Sequence, residues 1–381
     1  MKIGIVLSHP PKISETFLLT FIKVISETHD VVLFLSKRNT KIKKTKQLVY
    51  LKPKNFWILP QYLIKFLLTI PRFRNLKGNS SLKLLIHDIP IWSIKELDYL
   101  HFTFGNLAIG RENYASEINC KMSVSFRGSD INVYPIRHNF SYFEILSNCH
   151  KIHCNSEQLK RELEKHNPAI DNKVVVIPPG LQEGYYITVD QLDDFNKRRF
   201  INDKFIMVTI GRLHWIKGFE KTLEALSELK KLNIDFEYNI IGSGPEEEKL
   251  KFLCSFYNIT TSVNFLGSKT EQDIKKLLEI SNCYIQTSWA EGFSNATMEA
   301  LALGLPAIVT PISGMSELIM NRKNGFIVDL HDSKSILSGL LWYINLTTEE
   351  KLEKSYNAYR KIFDNFTQKE LLKNWNNFYL N

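Results

Sequence analysis

Four side chains in the second half of the chain have types and spacings suited to holding a charged sugar donor. Glu291 and Glu299 stand eight positions apart in the string E-G-F-S-N-A-T-M-E-A, residues 291–300. Arg212 and Lys217 stand five apart in G-R-L-H-W-I-K-G, residues 211–218. A guanidinium offers phosphate a bidentate fork, and an ammonium offers it a compact point charge. Carboxylates accept from the hydroxyls of a sugar or ribose. Two cations beside two carboxylates therefore suit a diphosphate with sugars on either side.

The flanking patterns place these residues on strand-to-helix turns. Phe205 to Ile210 is a short apolar run and reads as a buried strand, as does Cys283-Tyr284-Ile285. Residues 296–303 read as a helix with Ser294 or Asn295 as its N-cap. Glu291 then lies at a strand's carboxyl end and Glu299 just over one turn into the helix. The free N–H groups of that first turn, near Gly292, Phe293, Ser294 and Asn295, would face an anion. Gly242-Ser243-Gly244 lacks the third glycine of a dinucleotide fingerprint, and no G-x4-G-K-[ST] phosphate loop is present.

Strand and helix patterns alternate along all 381 residues, enough for two domains of α/β class with parallel sheets. The expected boundaries are a first domain at 1–180, a polar linker at 181–202 and a second domain at 203–365. The tail, 367–381, has Leu371, Leu372, Trp375, Phe378 and Tyr379 at helical spacing. The chain opens on an apolar strand pattern, Lys2 to Leu7, rather than on a signal peptide, and has five cysteines without C-x-x-C spacing. Both features predict a cytoplasmic location. Cys149-His150-Lys151-Ile152-His153-Cys154 invites a zinc reading, but neighbours on a strand point to opposite faces and would not converge on one ion. No metal site is expected.

Charge is unevenly distributed. Residues 1–185 hold 26 Lys and Arg against 15 Asp and Glu, a net of +11, so the remainder is −2 in a chain of +9. Between Asp30 and Asp88 there is no acidic residue, while 13 basic ones occur from Lys37 to Lys83. Phe56, Trp57, Tyr62, Phe66 and Phe73 are interleaved with them. The apolar part is too short and too broken to span a bilayer. It reads either as an interfacial segment for anionic lipid or as a core helix beside a solvated basic loop. No nucleic-acid-binding motif accompanies the charge.

Taken together, the ordered motifs resemble the retaining glycosyltransferases of family 4, which have the GT-B architecture. G-R-L-x-x-x-K-G at 211–218 and E-x7-E at 291–299 carry the resemblance, together with Ile241 to Pro245, Phe265-Leu266-Gly267, Gly304-Leu305-Pro306 and Asn324-Gly325-Phe326. The resemblance implies two Rossmann-like domains facing across a cleft, with the terminal helix returning to the first. It implies a nucleotide-diphosphate sugar donor and a glycan or lipid-linked acceptor, as in surface polysaccharide or lipopolysaccharide synthesis. Gly211, Arg212, Lys217 and Gly242 would line the diphosphate, Leu266, Gly267 and Ser268 the base, Glu299 the ribose, and Glu291 the transferred sugar. No D-x-D string occurs, so a metal-independent reaction without a cofactor is expected.

The first half carries weaker parallels. Ser14-Glu15-Thr16-Phe17 resembles the S-E-T-F string of surface-glycan members, and His101-Phe102-Thr103-Phe104-Gly105 another strand-end string. Phe126-Arg127-Gly128-Ser129-Asp130 resembles F-H-G-x-D with Arg127 in place of the histidine beside the transferred sugar. These matches imply an acceptor side made of Ser14, Glu15, Thr16, His101, Arg127 and Asp130. Arg127 would be a fixed charge rather than a base, close enough to the reaction to count with Arg212, Lys217 and Glu291. A nucleotide-sugar epimerase, and a catalytically silent lipid- or partner-binding module of the same fold, remain as alternatives.

Overall fold

The computed structural model describes residues 1–11, 15–38, 42, 45–50, 87–94, 96–201, 204–312 and 314–380, without the side chain of Thr16. The chain divides into two compact units, Met1–Pro178 with Lys369–Asn381, and Pro179–Gln368. Both are parallel sheets flanked by helices, each a Rossmann-like α/β unit.

In the first unit the strands are β1 (Lys2–Val6), β2 (Asp30–Leu35), β3 (Lys46–Val49), β4 (Tyr99–Phe102), β5 (Lys121–Phe126), β6 (Lys151–Cys154) and β7 (Val174–Val176). Their spatial order is β3-β2-β1-β4-β5-β6-β7, and each neighbouring pair is parallel. These strands are apolar along their length because helices cover both faces. The terminal helix Gln368–Leu380 lays Leu371, Trp375, Phe378 and Tyr379 into the core that holds Ile3, Ile5, Leu7 and Phe21. Trp375 sits 4.4 Å, centroid to centroid, from Phe21. The apolar spacing of the tail thus completes the first unit, as expected.

In the second unit the strands are β8 (Phe205–Ile210), β9 (Phe236–Ile241), β10 (Val263–Phe265), β11 (Cys283–Gln286), β12 (Ala307–Val309) and β13 (Gly325–Ile327). The order β10-β9-β8-β11-β12-β13 is again parallel throughout. The chain moves outward one way from β8 and the other way from β11. The strand order therefore switches between these two neighbours, and in such sheets ligands are taken in the crevice at the carboxyl ends of the strands at that point.

The stretch 181–202, expected as a linker, is instead part of the second unit. It contains the helix Val189–Ile201, which buries Leu192, Phe195, Asn196 and Arg199. Arg199 ties this helix to the rest of the unit. Its Nε donates to the Glu279 carbonyl at 3.1 Å, Nη1 to Asn196 Oδ1 at 3.2 Å and the Gly304 carbonyl at 3.4 Å, and Nη2 to the carbonyls of Leu278 and Leu303 at 3.1 and 2.8 Å. A charged residue in the stretch expected as a linker is the clamp on two helix ends. The acid-free basic stretch 37–83 falls largely outside the described residues. Among the described residues, no helix is long and apolar enough to cross a membrane.

Candidate active site

The crevice of the second unit gathers the residues expected there. Gly211, Arg212 and Lys217 follow β8, Gly242 follows β9, Leu266, Gly267 and Ser268 follow β10, and residues 291–299 follow β11. Backbone bonds lace these loops together. The Gly211 N–H donates to the Ile241 carbonyl at 2.9 Å, the Leu213 N–H to Ser243 at 3.1 Å, and the Gly242 N–H to Gly267 at 2.9 Å. The hydroxyls of Ser243 and Ser268 lie 3.2 Å apart. Glycine is required at 242: its φ is +139°, and a Cβ there would sit 1.9 Å from the Gly211 carbonyl oxygen. Gly218, with φ +67°, lets the β8 loop turn against β11, where a Cβ would meet the Thr287 carbonyl at 2.1 Å. The Trp289 N–H closes the same junction on the Ile216 carbonyl at 2.7 Å.

Lys217 and Glu291 are joined in this junction by a half-buried ion pair, Nζ to Oε1. The same carboxylate oxygen accepts from Gln286 Nε2 at 2.8 Å and Ser288 Oγ at 2.9 Å. Gln286 is itself fixed by the Tyr284 hydroxyl, which donates to its Oε1 at 2.6 Å. Sequence reasoning missed Gln286 and Ser288. Gln286 was legible in one respect, as a polar residue ending a buried strand. Arg212 is exposed, and among the described residues no carboxylate pairs with it.

Ser294 caps the helix Asn295–Ala302, its Oγ accepting from the Thr297 N–H at 3.2 Å. Asn295 is the first helical residue, and Phe293 packs against Gly314. One turn further in, Glu299 is only 9% exposed. Its Oε1 accepts from Gln182 Nε2 at 3.2 Å. Burial pushes its carboxyl up to about 8, against the opposing pull of the Tyr185 hydroxyl. Gln182 and Tyr185 come from the stretch read as linker, so sequence reasoning missed both.

The first unit agrees less well with expectation. Ser14 lies outside the described residues, as does the side chain of Thr16. Glu15 is half-buried, 3.7 Å from His9 Nδ1. His101, expected on the acceptor side, is fully buried. Its Nδ1 lies 2.9 Å from Ser123 Oγ and its Nε2 3.0 Å from Ser125 Oγ, which is 2.8 Å from His153 Nδ1. His153 Nε2 reaches the Ile177 carbonyl at 2.9 Å. A carbonyl only accepts, so the chain runs one way, from the Ser123 hydroxyl through His101, Ser125 and His153 to Ile177. Both rings are neutral: burial drives His101 well below its ordinary value and His153 to about 3. Trp375 covers them, 4.6 Å from His153 and 5.6 Å from His101. A histidine at a strand end read as a ligand group is a hydrogen-bonded part of the core. Both nitrogens of His153 are engaged, which leaves none for zinc. Among the described residues no group of three or more His, Cys, Asp or Glu could hold a metal ion.

Asp130 is also structural. It is buried, its Oδ2 accepts from the Arg127 N–H at 3.0 Å, and the N–H groups of Gly105 and Asn106 support it. Burial lifts its carboxyl to about 6. Arg127 lies half-buried with its guanidinium 4.0 Å from the centre of the Phe17 ring and 5.6 Å from that of Phe104.

Comparison with known proteins agrees with this geometry. Residues 190–361 match the family of glycosyl transferases group 1. That match covers the bulk of the second unit, including all four of Arg212, Lys217, Glu291 and Glu299. The chain is 30% identical over 168 residues to the putative colanic acid biosynthesis glycosyltransferase WcaL of Escherichia coli, covering 42% of this chain and 41% of that one. It is 26% identical over 219 residues to the capsular polysaccharide biosynthesis glycosyltransferase CapM of Staphylococcus aureus, 56% of each. The matched region thus spans about half or less of these relatives' length. The crystal structure of Anabaena Alr3699/HepE in complex with UDP shares the fold, with TM-score 0.73, 15% identity and 99% of both chains covered.

Proposed function

We propose that this chain transfers a sugar from a nucleoside-diphosphate donor to a glycan or lipid-linked acceptor during assembly of a surface polysaccharide, with retention of anomeric configuration and without a metal. The observation that carries this reading is the crevice between β8 and β11. There the Lys217–Glu291 pair and the exposed Arg212 stand on loops fixed by backbone bonds, and the buried Glu299 stands in the helix that follows β11. The relatives named for colanic acid and capsule synthesis, and the neighbour crystallised with UDP, support the same class of donor and product.

In this mechanism the ribose hydroxyls donate to Glu299, and the diphosphate lies against Arg212, Lys217 and the amino end of the helix Asn295–Ala302. Glu291, held by Gln286 and Ser288, accepts from a hydroxyl of the transferred sugar. The bond between the anomeric carbon and the phosphate oxygen breaks with its electron pair going to the diphosphate. Negative charge grows there in the transition state, where preoriented cations and N–H groups are worth most. The acceptor oxygen forms the new bond on the same face, and its proton passes to the departing diphosphate oxygen there. We assign no protein base or nucleophile. The reaction is placed at the cytoplasmic membrane face, with the basic stretch 37–83 docking on anionic lipid. Co-sedimentation with anionic vesicles at low salt tests that placement, and no binding there would remove it.

The test of the donor reading is calorimetric titration with UDP, GDP, ADP and CMP in the presence of EDTA. Metal-independent binding of one nucleotide, weakened by Glu299→Gln, is expected. Binding that requires added magnesium would contradict it.

A further inference from the structure

Among the described residues Arg111 and Arg199 are buried and Arg127 is half-buried with its Nε withdrawn from water, and the three differ in how their guanidinium protons are used. Arg199 spends all three nitrogens on five acceptors, as described above. Arg111 donates from Nε to Asp88 Oδ2 at 2.7 Å, from Nη2 to Asp88 Oδ1 at 3.2 Å and from Nη1 to the Leu107 carbonyl at 2.7 Å. Arg127 does neither. Its Nε is buried with no hydrogen-bond partner, and among the described residues no carboxylate forms an ion pair with it. Asp130, three residues on, is turned to backbone N–H groups instead. A buried donor left unpaired is costly, and more so on a charged group.

The surroundings hold this cation in place. One face of the guanidinium lies on the Phe17 ring and Phe104 borders it. Phe17 is in the helix Thr16–Ile25 that follows β1, Phe104 follows β4, and Arg127 follows β5. In the order β3-β2-β1-β4-β5, the pair β1 and β4 is where this sheet reverses direction. Arg127 therefore stands at the ligand-binding edge of its own unit. His101 and His153 are neutral, so they do not add to its charge. Glu15 and Asp130 act on it only from beyond ion-pair distance, and burial still lowers the guanidinium to about 10.

We propose that Arg127 is a specificity-determining residue that binds an oxyanion, a carboxylate or phosphate, carried by the sugar substrate, and so selects acidic over neutral glycans. The inference rests on the transferase reading for the word substrate, but the anion site belongs to the first unit alone. A planar oxyanion would accept from the orphaned Nε–H and an adjacent Nη–H in the bidentate geometry that guanidinium favours.

The test is titration of the full chain with D-glucuronate, glucose 6-phosphate, inorganic phosphate and, as the neutral control, glucose. The arginine Nε–H resonances are followed by NMR, with Arg127 assigned by its loss in Arg127→Gln. Glucuronate or glucose 6-phosphate is expected to shift the Arg127 resonance and to bind about ten- to a hundredfold tighter than glucose, the worth of a charge-assisted hydrogen bond. That preference should vanish in Arg127→Gln and persist, weakened, in Arg127→Lys. Preference for glucuronate alone identifies a sugar carboxylate as the ligand group, and preference for both phosphates identifies a phosphate ester. Equal binding of glucose and the anions, or anion binding unchanged in Arg127→Gln, overturns the proposal. Nucleotide titration of the same variants separates the two readings. If UDP and the other nucleotides fail to bind while the Arg127 anion preference holds, the donor reading falls and the anion site stands. If Arg127→Gln loses nucleotide binding through misfolding, the Arg127→Lys comparison decides.

Discussion

Glu299→Gln should make the protein more stable and a poorer nucleotide binder at the same time. The wild-type carboxyl is pushed from 4.5 to about 8 by burial. Its folded-state value is raised, so the folded protein holds a proton that the unfolded chain releases. The stability that this group contributes is therefore greatest below pH 4.5 and is lost as pH rises toward 8. At about 1.4 kcal/mol per unit, the loss from this group is about 3 kcal/mol at pH 7 and approaches about 5 kcal/mol above pH 8. A glutamine keeps the shape and stays neutral, so the variant escapes this slope. Its carbonyl can still accept from Gln182. Nucleotide binding should move the other way, because two ribose hydroxyls are best received by the ionised carboxylate. Wild-type affinity should then rise with pH up to about 8, with a proton released on binding. Glu299→Gln should lose ten- to a hundredfold in affinity above that pH, from about 1.5–3 kcal/mol of charge-assisted bonding. Denaturant melts and calorimetry in two buffers of different protonation enthalpy, from pH 6 to 9, read both effects. A variant that is less stable at pH 8, or one that binds nucleotide as tightly as wild type at every pH, would refute the reasoning.

Other perturbations separate the site from the scaffold. Lys217→Ala removes the cation from the departing diphosphate and should lower kcat by about 10²–10³ with a smaller change in donor KM, measured by steady-state turnover. Gln286→Leu should reproduce part of that loss by releasing Glu291, while the same assay shows donor binding little changed. Trp375→Ala, on the terminal helix, should cost about 3–5 kcal/mol of first-unit stability in denaturant melts and leave nucleotide binding by the second unit intact. His153 sits near 3 in the folded chain against 6.5 unfolded, so the stability it contributes should fall as pH drops below 6.5. Between pH 6.5 and 5 this amounts to about 2 kcal/mol, and His153→Gln should flatten that slope in melts taken across the range.

The second unit was legible because its motifs are local. Each of Arg212, Lys217, Glu291 and Glu299 stands at a strand end or helix start that apolar runs and an N-cap serine mark in the sequence. Parallel pairing then brings these ends together whatever the side chains are. What the sequence hid is how polar groups are satisfied. Gln182 and Tyr185 reach Glu299 from more than a hundred residues away, and the pattern around them looked like linker. Arg199 and His101 show the same limit from the other side. A charged or titratable residue reads as solvated or functional until its acceptors are seen, and those acceptors are carbonyls and hydroxyls on distant strands. Arg127 and Asp130 were both expected on the acceptor side, but the carboxylate serves backbone N–H groups and leaves the guanidinium over Phe17.

The most direct test of the central claim is phosphorus NMR of purified protein with nucleoside-diphosphate sugars in EDTA, following release of the nucleoside diphosphate with and without a glycan-lipid extract as acceptor. The account predicts release from one donor that the extract accelerates and that Lys217→Ala slows by about a hundredfold or more. No release from any donor, or release unchanged in Lys217→Ala, would contradict it.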